Sequence, residues 1–172
     1  MQVMHMIVDA FSYLEFFKAL TPAQLAVLKP VFHPCEYSTG NMLFEQDAPA
    51  EYLYIVVKGE VVVNFKPDDG PSITVTRAHS GEVVGWSAAL TRRAYTSSAA
   101  AAVDTQLLKV RGYDLRQVCW HHPDIAKIVQ DCLAAVIVQR VSKTHAQVVA
   151  LLELGLGRSN NIEEFTDGKA ND

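Results

Sequence analysis

The spacing of apolar residues divides the chain into three sections. Over residues 7–30 the spacing is helical: Phe11, Leu14, Phe17 and Leu20 share one face, and Phe16 widens it. A second helix in this section is marked at both ends. Thr21 suits an N-cap, Pro22 suits the first helical position, and Gln24 completes a capping box. Pro30 stops it, because proline disfavours a helical conformation in the residue before it.

Over residues 31–110 the pattern is that of short strands. EYSTGNMLFEQ turns at Thr39-Gly40. LYIVV and VVVNF are strand-like runs joined by Lys58-Gly59-Glu60. Asp68-Asp69-Gly70-Pro71 turns the chain into SITVT, which alternates polar and apolar residues. EVVGW reads as another short strand, and TSSAAAAVDTQLLKV finishes in an alternating one. Short, closely spaced strands with glycine turns predict a sandwich, jelly roll or barrel.

Residues 111–154 return to helical spacing. A short helix is predicted over 111–120, then a long one with Pro123 near its first turn. Ile125, Ile128, Val129, Cys132, Leu133, Val136, Ile137, Arg140, Val141, Thr144, Val148, Leu151 and Leu152 form a broad apolar stripe with two polar interruptions. About thirty helical residues span roughly 45 Å. That exceeds the thickness expected of the domain, so part of the stripe needs a cover. A homodimer seam at Ile128, Val129, Cys132, Val136, Ile137 and Arg140 is predicted, with packing on the chain's own domain as the competing reading. Residues 156–172 read as a polar tail.

Composition narrows the function. The chain has 172 residues, is 49% hydrophobic and 20% charged, and carries a formal net charge of −4. That fits one soluble domain, here residues 1–155, and argues against a general binder of phosphate backbones. The three cysteines, Cys35, Cys119 and Cys132, form no CxxC pair and read as small apolar residues in a reducing, cytoplasmic setting. The first residues lack the basic region and cleavage site of a signal peptide, and the longest apolar runs are too short to span a bilayer. No histidine pattern has metal-ligand spacing, and His121-His122 read as polar residues at a helix start. No P-loop, paired-carboxylate or Ser/His/Asp arrangement stands out, so no enzyme and no cofactor are expected.

The order of elements and three stretches, FEQDAPAEYLYIVVKGEVVVNF, SGEVVGWSAAL and DTQLLKVRGYDLRQVCWHHPDIAKIV, resemble the cyclic nucleotide-binding domain of the catabolite-activator and anaerobic-regulator superfamily. The resemblance covers roughly residues 10–150. It implies a mainly β fold with flanking helices: a CRP-like double-stranded β-helix, the jelly roll or β-roll, followed by a long C-terminal helix. It also implies a pocket at the glycine-rich loop. There a glutamate would accept from the ribose hydroxyl, an arginine would pair with the cyclic phosphate, and backbone N–H groups would complete the anion site.

This chain departs from that pattern at both charged positions. Gly85 matches the glycine, but Trp86 stands where the glutamate would be. The arginine position falls near Tyr95 or Thr96, followed by Ser97 and Ser98. Trp86 has one N–H donor and no acceptor, and is either a stacking face for a ligand or a plug. The diverged ligand site is drawn from Gly85, Trp86, Ser87, Ala88, Thr96 and Ser97, with Arg92 or Arg93 as substitutes for the lost phosphate contact. The resemblance thus implies a non-enzymatic regulatory module, without tight binding of cyclic AMP or cyclic GMP. A small-molecule effector and a protein partner both stay open. A ligand-free interaction scaffold is the alternative. Only about twenty residues follow Leu152, so a DNA-binding helix-turn-helix is not expected in the chain as given.

Overall fold

A computed structural model describes residues 9–90 and 93–163 of the chain. The described residues fall into two compact units, divided between Ala134 and Ala135.

In the first unit, residues 9–13 are helical and the chain then breaks at Leu14, whose ψ of 128° is extended. The single helix suggested by the phenylalanine spacing is therefore two short pieces, the second being α1 (Glu15–Lys18). α2 (Pro22–Leu28) has the predicted capping box: Thr21 accepts from the Gln24 backbone N–H at 3.3 Å, and the Gln24 side chain accepts from the Thr21 N–H at 3.0 Å.

Eight strands follow: β1 (Phe32–Tyr37), β2 (Met42–Phe44), β3 (Tyr52–Lys58), β4 (Val61–Phe65), β5 (Ile73–Ala78), β6 (Val83–Val84), β7 (Ser98–Ala101) and β8 (Thr105–Arg111). They make two four-stranded antiparallel sheets, ordered β1-β8-β3-β6 and β2-β7-β4-β5. The core between them draws on both: Tyr54, Val56, Val84 and Leu107 from the first sheet, Leu43, Phe44, Val61, Val63, Ala99 and Ala101 from the second. This is a jelly roll, one of the three architectures that the strand spacing predicted and the one that the resemblance implied.

β3 is buried on both faces, from Leu53 to Val57. Successive side chains of a strand point to opposite sides. Tyr54 and Val56 enter the roll core, while Leu53 and Ile55 lie on the opposite face. The N-terminal helical segment anchors on Phe32 of β1, whose ring meets Phe17 edge-on at 5.1 Å and Phe11 at 6.3 Å. Each such buried side chain contributes about 2 kcal/mol through lost water contact.

After β8 come α3 (Gly112–His121) and α4 (Pro123–Glu163). α4 continues past the end expected near Leu154 because Gly155 and Gly157 weaken a helix without forbidding one, and no proline intervenes. Within the first unit, the buried face of α4 is Ile125, Val129 and Leu133, spaced one turn apart, and the Cys132 thiol points at the Phe16 carbonyl at 3.8 Å. Val129 is only 3% exposed in a single chain, which removes it from any seam between chains. In the second unit, Val138 and Val141 are 63% and 64% exposed, and Val136, Ile137 and Arg140 are half-buried.

Among the described residues no helix is long and apolar enough to cross a membrane, and no cluster of metal-ligating side chains is found. All three cysteines are free, and burial raises each thiol, that of Cys35 to about 11.

Candidate functional site

The glycine-rich stretch begins with β6, which ends at Val84 rather than at Trp86. Gly85 takes a left-handed φ of 73°, and a short 3-10 turn, Trp86–Ala88, follows. A side chain at Gly85 would also have no room. Its first carbon would lie 2.7 Å from the Tyr52 carbonyl oxygen and 3.2 Å from the Phe44 ring. So the glycine is needed for both backbone conformation and close approach.

The turn consumes donors that could have served an anion. Ala88 N–H bonds Gly85 O at 3.1 Å, Ala89 N–H bonds Trp86 O at 3.1 Å, and Leu90 N–H bonds Ser87 O at 3.2 Å. Ser87 and Ala88 are buried; Trp86 is half-buried and does not belong to the core cluster between the sheets. Arg92 lies outside the described residues. The Arg93 side chain is exposed, while its carbonyl accepts from the Ala50 N–H at 3.1 Å. Thr96 is exposed and Ser97 half-buried.

The residue that enters the roll is Tyr95, which the candidate set omits. It is 4% exposed, and its ring stacks on Phe44 with centroids 3.9 Å apart and planes 18° from parallel. Phe44 in turn stacks on Tyr54 at 6.0 Å. The Tyr95 hydroxyl donates to the Tyr52 carbonyl at 2.7 Å and accepts from the Tyr52 N–H at 2.9 Å. Its backbone is pinned as well: Asp47 N–H bonds Tyr95 O at 2.9 Å, and Tyr95 N–H bonds Ala48 O at 3.0 Å. Burial raises the Tyr95 phenol, and burial with the neighbouring Tyr37 hydroxyl raises that of Tyr54.

A sequence signal for Tyr95 does exist. Ala99–Ala102 is a run of small residues, and Ala99 is the register partner of both Phe44 and Val63. Small side chains on an inner strand leave volume that a large neighbour must fill. The buried cluster holds aliphatic residues, Phe44, Tyr54 and Tyr95, with Cys35, Tyr37, Ala48, Ala50 and Tyr52 packed against it. Lys109 stands over the Tyr52 ring, 5.1 Å from its centre.

The far end of the 3-10 turn touches α3. The Arg116 guanidinium donates to the Ala88 carbonyl at 2.5 Å. At Gly112, an added side-chain carbon would sit 2.1 Å from the same oxygen. Gly112 N–H also bonds the Glu51 carbonyl at 2.8 Å, one residue before the Tyr52 that Tyr95 grips.

The profile of the family described as "cyclic nucleotide-binding domain" matches residues 34–122, just over half of the chain. Over 136 residues the chain is 22% identical to a CRP-like cAMP-activated global transcriptional regulator of Mycobacterium tuberculosis, covering 79% of this chain and 59% of that protein. Among solved structures, the catabolite activator protein of Thermus thermophilus is 25% identical with a TM-score of 0.64, over 79% of this chain and 62% of that one. The regulatory subunit of a cAMP-independent protein kinase A from Trypanosoma brucei is 19% identical with a TM-score of 0.68, over 86% and 52%. The chain spans 26% to 59% of the length of the curated relatives it matches.

Proposed function

The chain belongs to the cyclic nucleotide-binding domain family, and on that footing we propose that it is a non-enzymatic regulatory module whose pocket has diverged from cyclic nucleotide recognition. The observation that carries this reading is the buried Tyr95 ring, stacked 3.9 Å from Phe44. Family resemblance puts an arginine near Tyr95 or Thr96 and a glutamate at Trp86. A tyrosine hydroxyl already engaged with Tyr52 offers a phosphate no charge. A phosphate placed among these rings would lose its water and gain no guanidinium.

The output of such a module runs through the junction of Ala88 with Arg116 and Gly112. Whatever fixes the 3-10 turn also fixes the start of α3, and with it the chain leading into α4. Self-association through α4 belongs to the same reading. Val138 and Val141 present apolar surface at a spacing of three residues, and a second copy of the helix is the simplest cover for it. The free cysteines fit a reducing compartment such as the cytoplasm.

Calorimetric titration of the chain with cyclic AMP and cyclic GMP tests the pocket. Dissociation constants weaker than about 100 μM, less than roughly 5.5 kcal/mol of binding, are expected. Sub-micromolar binding of either nucleotide overturns the reading.

A further inference from the structure

The Tyr95 side chain does what a bound molecule does, yet it is part of the chain. It is a planar ring inserted between β-roll walls, stacked on Phe44 and lying against the bare backbone of Gly85. Its hydroxyl uses donor and acceptor capacity together, giving to the carbonyl and taking from the N–H of one residue, Tyr52. Tyr52 opens β3, and its neighbour Glu51 holds the first amide of α3 through Gly112. Gly85, which lies against both the ring and the Tyr52 carbonyl, leads into the turn whose Ala88 carbonyl receives Arg116. One ring thus touches both of the paired backbone segments that lead to the α3 junction. The backbone of Tyr95 is bonded in both directions to the 47–48 loop, so the ring cannot leave without breaking those bonds or turning over its own side chain.

We propose that Tyr95 is a built-in occupant of the β-roll: it closes the roll on itself and holds the junction with α3 in one arrangement without an effector. The proposal rests on the diverged-pocket reading and goes past it, because it assigns to one side chain the role that a ligand would otherwise have. It also states the chemistry of the space beneath. A molecule able to replace the Tyr95 side chain is a neutral ring with one hydroxyl, because the walls are aromatic and aliphatic and the polar partners are one N–H and one C=O. An emptied apolar cavity of this kind in a protein core takes up small aromatic molecules of matching shape.

The test removes the ring and returns it as a free molecule. The Tyr95→Ala protein is titrated with p-cresol, and with toluene, which has the same ring without the hydroxyl, by calorimetry and by thermal melting. The expected result is saturable one-to-one binding of p-cresol at least tenfold tighter than toluene, with a rise in Tm. The unaltered protein should show neither. Absence of p-cresol binding to the folded variant, or equal binding of p-cresol and toluene, overturns the proposal. If Tyr95→Ala does not fold, Tyr95→Phe keeps the ring and removes only the hydroxyl. Amide hydrogen exchange at Tyr52 and Gly112 should then quicken at least tenfold, and unchanged exchange at both overturns the proposal. Neither experiment uses a nucleotide, so their outcome is separate from the cyclic AMP and cyclic GMP titration that decides the diverged-pocket reading.

Discussion

The carbonyl oxygen of Ala88 lies 2.5 Å from the guanidinium of Arg116, joining the last residue of the 3-10 turn to the middle of the first helix after the β-roll. The same oxygen leaves no space for a side chain at Gly112, where an added carbon would come within 2.1 Å. Backbone cannot yield as a flexible side chain can. Gly112→Ala should therefore cost about 3 kcal/mol or more, at the upper end of overpacking effects. Arg116→Ala should cost about 1.5 kcal/mol, the lower end for a hydrogen bond from a charged group that is only half-buried. Urea unfolding of both variants checks the order. A Gly112→Ala protein as stable as the parent would mean that α3 does not press on the turn.

Gly85→Ala meets two obstacles at once. The backbone is left-handed, and the new methyl would lie 2.7 Å from the Tyr52 carbonyl and 3.4 Å from the Tyr95 ring. A residue forced into the left-handed region costs about 1 kcal/mol before any clash. The expected loss is about 3 kcal/mol in total. It should be accompanied by a change in near-ultraviolet circular dichroism, because the Phe44–Tyr95 stack has to shift. Loss of stability with an unaltered aromatic spectrum would place the strain elsewhere.

Buried phenols make the fold sensitive to alkali. Burial raises the folded-state pKa of Tyr54 and Tyr95 above the ordinary value of 10.0. A raised folded-state value means that the native protein holds its proton more tightly than the unfolded chain. The stability linked to these groups is complete below pH 10 and is lost as pH rises through their folded values. Tyr54 and Tyr95 should therefore ionise only as the roll opens. Far-ultraviolet circular dichroism across an alkaline titration of the parent, Tyr54→Phe and Tyr95→Phe proteins checks this: each substitution should move the unfolding midpoint to higher pH, and an unchanged midpoint in both would contradict it.

Self-association is expected to depend on the exposed valines of α4. Val138→Asp with Val141→Asp puts charge on both and should shift light scattering from dimer to monomer at tens of micromolar. Substituting Val129, buried in its own chain, should instead lower the stability of the monomer. A monomeric parent protein at that concentration would remove the seam altogether.

Much of the fold was legible in the order of residues because its signals are local. The capping box needs only Thr21, Pro22 and Gln24, and they form it. The turn at Gly59 and the strand-like apolar runs LYIVV and VVVNF give β3 and β4 without reference to distant residues. Periodicity could not distinguish which side of a continuous apolar helix meets the chain's own core. Val129 and Val141 read alike in the stripe, but one is buried and the other exposed.

The sequence by itself determined the short strands with their glycine turns and the helices on either side, which follow from spacing, turn chemistry and residue type; the β-roll and the cassette positions at Trp86 and Tyr95 or Thr96 were what the family resemblance implied. Only the tertiary structure decided that Tyr95, rather than Trp86, fills the interior. That choice depends on β7 bringing small alanines opposite Phe44 and on the Tyr52 backbone standing within reach of one hydroxyl. Residues 43 positions apart have no shared pattern in the chain; the pairing of strands brings them together, and packing then selects the ring that fits.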